Sequence, residues 1–214
     1  MTTHSGAITG VAGHEFLAAL PLRFPRLLEV SSDADRAAAP GQVVSFPVVI
    51  KAEGIAHRQQ VSGVWRDVPD ARTAALVLEL YTQSFGYPLS LAELIPHDRE
   101  FVVGWQRRAA NEDVLMFGQG GSDVGGAVEF RLMPQTRREA ASLVREHVAD
   151  PAQLRRLTGL VLALQDLVAA LPAAPGRGPG VGGSEPVTEI DLNPVTFDAS
   201  GELIALDWKV FRND

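Results

Sequence analysis

The segment TEIDLNPVTFDASGELIALDWKVF, near the end of the chain, constrains the fold more than any other stretch. Its apolar residues alternate on both sides of DASGE, the pattern of two antiparallel strands joined by a tight turn. A three-residue loop of Ala199, Ser200 and Gly201, with glycine at the left-handed position, pairs Asp198 with Glu202. Counting outward places Asn193 opposite Asp207. Glu189, Asp191, Asn193, Asp207 and Lys209 then share one face, and Ile190, Leu192, Ile204, Leu206 and Trp208 share the other. Opposed residues on such a ribbon have Cβ atoms about 4.5–5.5 Å apart, so an amide oxygen and a carboxylate there can hold one small hard cation. A polar face turned to water explains the same pattern, and a slip of one residue separates the pair. Both readings stay open on the hairpin alone.

The rest of the chain narrows the choice of class. Its 214 residues, 46% apolar and 21% charged, are enough for one large domain or two small lobes with a real core. The 19 basic and 26 acidic side chains give a net charge of −7, which argues against a nucleic-acid surface; an anionic ligand must be met by a local cluster. The absence of cysteine excludes disulfides, zinc–thiolate sites and thiol catalysis. The first residues, MTTHSGAITGVAG, lack the basic and apolar regions of a signal peptide, and GLVLALQDLVAAL is too short and too interrupted to span a bilayer. The expectation is a soluble, cytoplasmic protein without a membrane or nucleic-acid partner.

Along the chain, a short helix around HEFLAAL and a strand at LLEV precede a stretch broken by Pro40, then the apolar strand FPVVIKA. VSGVWRDV reads as a strand and PDARTAALVLELYTQSF as a helix starting near Asp67 or Asp70. Leu76, Leu78 and Leu80 do not share one face of that helix, so burial on all sides is expected for part of it. Strands follow at LSLAELI, REFVVGW, DVLMFGQ and AVEFRLM, then helices from about Thr136 to His147 and from Pro151 to Leu171. The fold class is α+β. The Pro/Gly-rich stretch from 172 to 186 reads as a mobile loop before the hairpin.

Common catalytic signatures are missing. There is no G-x-x-x-x-G-K-[ST]; GQGGSDVGG has Asp123 where G-x-G-x-x-G needs its last glycine, and Val124 where G-x-S-x-G needs its last. The histidines at 4, 14, 57, 97 and 147 show no metal-ligand spacing. Lys51 ends an apolar strand, where its ammonium meets either solvent or a phosphate. Gly118, Gly120 and Gly121 suit either a close backbone approach to phosphate or a tight turn. Glu93 reads equally as an exposed strand residue, and Glu100 as a partner of Arg99 or Arg107.

Taken in order, FPVVIKAEGIAHRQQVSGV, LSLAELIPHDREFVVGWQR, VLMFGQGG, FRLMPQTRREA, EIDLNPV and IALDWKV resemble the successive segments of the ATP-grasp domain, the β subunit, of nucleoside-diphosphate-forming acyl-CoA synthetases, and more distantly the succinyl-CoA synthetase β subunit. The resemblance covers nearly the whole chain. It implies an ATP-grasp fold with two lobes, 1–95 and 96–214, enclosing a nucleotide site. It implies that Lys51 meets ATP phosphate and that Ala92, Glu93, Leu94 and Ile95 line the linker that receives adenine. It implies that Glu100 contacts the nucleotide, that Gly118, Gly120 and Gly121 approach phosphate, and that Asn193 and Asp207 bind Mg²⁺. It further implies that Asp191 sits beside a docked phosphohistidine and that His57 and Arg131 complete the catalytic set. The implied activity is acid–thiol ligation using ATP or GTP, with CoA supplied by a separate CoA-binding subunit and a small carboxylic acid as substrate.

The sequence also departs from the family. Arg58, Gln60 and Ser62 replace the Lys, Asp and first Gly of H-K-[ST]-D-x-G-G-V, leaving His57 as readily a loop histidine without a task as a phosphoacceptor. Gly125 stands where the family has a glutamate, and a Lys-Asp pair before F-R-L is missing. The alternative reading is therefore a catalytically degenerate ATP-grasp chain acting as a nucleotide-binding or scaffolding partner.

Overall fold

A computed structural model describes residues 8–53, 62–108, 112–120, 127–172 and 186–212. Its chain divides into two compact units: one comprises residues 9–12 and 24–96, the other 1–8, 13–23 and 97–214. Gly13–Arg23, which the sequence grouped with the first lobe, thus clusters with the C-terminal unit. The helix expected around HEFLAAL, α1 (Gly10–Leu17), begins four residues earlier and ends at Leu17.

In the first unit, β1 (Leu27–Val30), β2 (Val48–Ala52), β3 (Val64–Val68) and β4 (Leu89–Glu93) form an antiparallel sheet of order β1-β4-β2-β3. Alternation sends Val48, Ile50 and Ala52 of β2, with Leu89 and Leu91 of β4, into a core completed by α3 (Ala71–Phe85). Asp70 caps α3, its carboxylate accepting the Thr73 N–H at 2.8 Å, and this bond holds the carboxyl below the usual range. The helix is not buried all round: Ala74, Val77, Leu78 and Tyr81 face the core, while Leu76 and Leu80 are exposed. Leu78 follows the 3.6-residue repeat that the other two leucines break.

The stretch broken by Pro40 is a helix, α2 (Asp33–Gln42). Ser32 caps it by accepting the Asp35 N–H at 3.2 Å, and Ala37, Ala38 and Ala39 carry the middle. Pro40 falls in the last turn, where it removes the N–H that would bond the Arg36 carbonyl, and the helix ends two residues later.

The second unit is built on β5 (Phe101–Arg107), β6 (Asp113–Gln119), β7 (Val128–Leu132), β8 (Val187–Phe197), β9 (Leu203–Ala205) and β10 (Trp208–Arg212). They form an antiparallel sheet of order β10-β8-β5-β6-β7, with β9 continuing the pairing on β8. Helix α4 (Arg137–Arg145) starts on a reciprocal cap between Thr136 and Glu139, and α5 (Pro151–Ala169) on Asp150 with Pro151 in its first turn. The two helices pack on each other and α4 on β6. One sheet face is therefore core: Phe101, Val103 and Trp105, with Leu115, Phe117, Ile190, Leu192 and Val210, are buried. The expected loop at 172–186 falls almost wholly outside the described residues.

Candidate functional site

The C-terminal hairpin sets the geometry of the other sheet face. Asp198 Oδ1 accepts the N–H groups of Ser200 (2.9 Å) and Glu202 (3.0 Å) and the Ser200 hydroxyl (2.6 Å). These bonds close the turn and hold the Asp198 carboxyl below the ordinary carboxylate range. Gly201 takes φ 79°, open to glycine without a Cβ penalty. The Asp198 N–H reaches the Glu202 carbonyl at 3.0 Å, and Phe197 pairs with Leu203, Val195 with Ala205, Leu192 with Trp208 and Asp191 with Lys209. This is the register counted from the sequence. Between β9 and β10, the Asn193 N–H donates to the Asp207 carbonyl at 3.1 Å, so these two residues oppose one another.

Asp207 Oδ1 accepts the Trp208 N–H at 3.0 Å, which fixes the carboxylate's orientation, and Asn193 is exposed. Asp191 is half-buried, and its Oδ1 is fully enclosed with no hydrogen-bond partner among the described residues. Burial, then the charges of Asp207 and Glu189, push its carboxyl up to about 7, with Lys209 opposing. An enclosed carboxylate oxygen without a donor, beside a second carboxylate and an amide, is a donor set that suits a hard cation or an imidazole N–H. Among the described residues no group of three or more His, Cys, Asp or Glu is arranged to hold a metal. Two ligands still fit magnesium, which keeps most of its shell as water and phosphate.

Cross-strand pairing extends this face across the sheet. Asp191 pairs with Gly104, Gly104 with Met116, and Met116 with Phe130, so these positions share a side. A Cβ on Gly104 would meet the Met116 methyl at 2.6 Å and the Ile190 carbonyl oxygen at 3.0 Å. Phe130 and Leu132 stand exposed on this face of the edge strand β7.

Arg131 does not join it. It pairs with buried Leu115, on the core side of the sheet, and its guanidinium bonds Glu129 on the same strand. Alternation thus puts Arg131 and Asp191 on opposite faces of the sheet, odd-numbered β7 residues facing away from Asp191. Gly118 and Gly120 have structural neighbours of their own. A Cβ on Gly118 would lie 2.2 Å from the Ala127 carbonyl oxygen, and one on Gly120 would lie 2.5 Å from the Phe101 carbonyl carbon. The Gly120 N–H donates to the Glu100 carbonyl at 3.0 Å, so that N–H already has its acceptor. Gly121 and His57 lie outside the described residues, as do Arg58, Gln60 and Gly125.

Glu100 precedes β5 and bonds His97 at 2.7 Å; the expected alternatives are engaged elsewhere, Arg99 with the His147 carbonyl and Arg107 with Asp113. In the first unit, Lys51 is half-buried between Ser90 and Val64, on the face opposite the core. Its neighbour Glu53 is buried with fully buried Ser90, whose hydroxyl donates to Glu53 Oε1 at 2.6 Å. Ala92 is buried in β4 between Leu27 and Val49. The Glu93 N–H donates to the Arg26 carbonyl at 2.9 Å, and Leu94 and buried Ile95 follow the strand. Ser62, where the resembled family has glycine, takes φ 56°: the backbone keeps a glycine-like conformation without the glycine. The sequence reading gave His97 no role, because H-x-x-E in an extended connector carries no helical periodicity to bring the pair together.

The chain matches the ATP-grasp domain family over residues 2–211 and belongs to it. It is 31% identical over 182 residues to an acetate–CoA ligase [ADP-forming] II of Archaeoglobus fulgidus, an alignment covering 80% of this chain but only 25% of that protein. It is 24% identical over 186 residues to the β subunit of acetate–CoA ligase [ADP-forming] I of Pyrococcus furiosus, covering 77% of this chain and 74% of that subunit. The fold matches the dinucleotide-forming acetyl-coenzyme A synthetase 1 of Ca. Korarchaeum cryptofilum, solved with coenzyme A and Ca-AMPCP, with a TM-score of 0.71 at 18% identity over 97% of this chain and 93% of that one. No helix among the described residues is long and apolar enough to cross a membrane.

Proposed function

We propose that this chain is the ATP-grasp component of an ADP-forming acyl-CoA synthetase, binding Mg-ATP or Mg-GTP and activating a small carboxylic acid as its CoA thioester through a phosphohistidine relay. The observation that carries the reading is the register that opposes Asn193 and Asp207 with Asp191 on the same face. In this reading Asn193 and Asp207 hold Mg²⁺, which when bound screens the charge of the nucleotide phosphates. Lys51 supplies a point charge to phosphate, and Ala92–Ile95 and Glu100 receive the nucleoside. Asp191 orients an imidazole delivered by a CoA-binding partner subunit and favours its charged form. The enclosed, donorless Oδ1 supports that role. His57 is a second phosphoacceptor in this scheme.

The second reading, a nucleotide-binding scaffold without turnover, is favoured by the separation of Arg131 from Asp191 on opposite sheet faces. Combining the purified chain with its cognate CoA-binding subunit separates the two. The ligase reading expects no ADP from the chain alone and ADP formation dependent on both acid and CoA from the pair. A pair that binds Mg-ATP yet gives neither labelled phosphohistidine nor ADP across a panel of carboxylic acids would leave only the scaffold.

A further inference from the structure

We propose that His97 is a positioning residue for nucleotide recognition, holding the Glu100 carboxylate in its binding orientation; this rests on the reading above that Glu100 contacts the nucleotide. The backbone at this point is pinned from both sides. Thr196, itself buried, donates its hydroxyl to the Arg99 carbonyl at 2.6 Å, and the Gly120 N–H donates to the Glu100 carbonyl at 3.0 Å. Gly120 comes so close to the start of β5 that no larger residue fits without displacing one of the two strands. Residues 99 and 100 therefore have a fixed main chain, and the remaining freedom of Glu100 is in its three side-chain torsions.

His97 removes that freedom. Its Nε2 lies 2.7 Å from Glu100 Oε1, with the two side chains only 13% and 17% exposed. An ionised carboxylate can only accept, so Nε2 carries the hydrogen and the bond is charge-assisted. Little water competes with it at that exposure. One N–H occupies one of about four acceptor sites on a carboxylate, and it orients the group. Arg99 and Arg107 are the nearby cations in sequence, and they are engaged with the His147 carbonyl and with Asp113. Preorganising a recognition group in this way lowers the ordering cost of binding, so its removal should appear in affinity.

The test is calorimetric titration of Mg-ATP into the full chain and into His97→Ala, His97→Gln, Glu100→Gln and the His97→Ala/Glu100→Gln double variant, with a urea melt of each. The Gln amide nitrogen reaches the place of Nε2 and keeps a donor. The expected result is affinity lowered roughly five- to tenfold by His97→Ala, recovered to within about threefold by His97→Gln. In the Glu100→Gln background the same His97→Ala change should cost less than about twofold, because it acts through Glu100. If His97→Ala binds like the parent while Glu100→Gln binds weakly, the positioning role is overturned and the nucleotide reading stands. Additive losses, or a His97→Gln variant as weak as His97→Ala, overturn it as well. Should Glu100→Gln itself leave affinity unchanged, the assignment of Glu100 to the nucleotide falls, and the role of His97 with it.

Discussion

The C-terminal hairpin and the β6–β7 edge belong to the same sheet, yet sequence reasoning fared differently on them. In the hairpin, Asp198 and Gly201 close one turn in one register, and the pairs counted outward from it are the pairs observed. At β6–β7 the family resemblance names the right segments, but Arg131 turns to the core side and Gly118 and Gly120 sit against backbone. A short turn fixes register, and register fixes which face each side chain takes. Correspondence with a family carries residue identity but not the atoms that surround it.

The sharpest contrast concerns Asp191, whose position the hairpin fixes and whose enclosure raises its carboxyl to about 7. Because the folded state holds this proton more tightly than the unfolded chain, stability should fall as pH rises from about 4 to 7 and level off above. Ionising Asp191 then costs the fold at most about 4 kcal/mol. Asp191→Asn should remove that slope, so urea melts in EDTA should show it increasingly more stable than the parent from pH 4.5 to about pH 7, with a constant advantage above. A constant difference across that range would contradict the enclosed carboxylate.

On the other side of the comparison, Gly120→Ala should destabilise by about 2–3 kcal/mol, since its Cβ must displace the Phe101 backbone. A variant that melts like the parent and loses only nucleotide affinity would return Gly120 to a phosphate-binding role. The smallest effect is expected at Ser62. Relieving φ 56° with Ser62→Gly should raise stability by up to about 1 kcal/mol, the gain being offset in part by the added freedom of the unfolded chain. A loss of stability would mean that the seryl side chain contributes contacts worth more than the strain.

Much of the fold was legible for the reason the hairpin was. Apolar and alternating runs located the strands, with β9 and β10 read as one, and the helix starts expected at Asp67 or Asp70, near Thr136 and at Pro151 agree with the caps at Asp70, Thr136 and Asp150. Helix α2 was hidden by Pro40, a breaker in helix interiors that here lies two residues from the helix end. Along β7, Phe130 and Leu132 are apolar yet exposed, so apolar character alone does not mark the core face there. The His97–Glu100 contact depends on how an irregular connector folds back on itself, and no periodicity encodes that.

The account turns on whether the face organised by the hairpin binds nucleotide through a metal, and calorimetric titration of ATP with and without Mg²⁺ tests it directly. The parent should bind far more tightly with Mg²⁺ present. Asp207→Ala should fold normally, since its side chain faces away from the core residues Ile204 and Trp208, yet lose roughly 10- to 100-fold in Mg-ATP affinity. Equal affinities for both proteins, with and without magnesium, would contradict the assignment of Asn193 and Asp207.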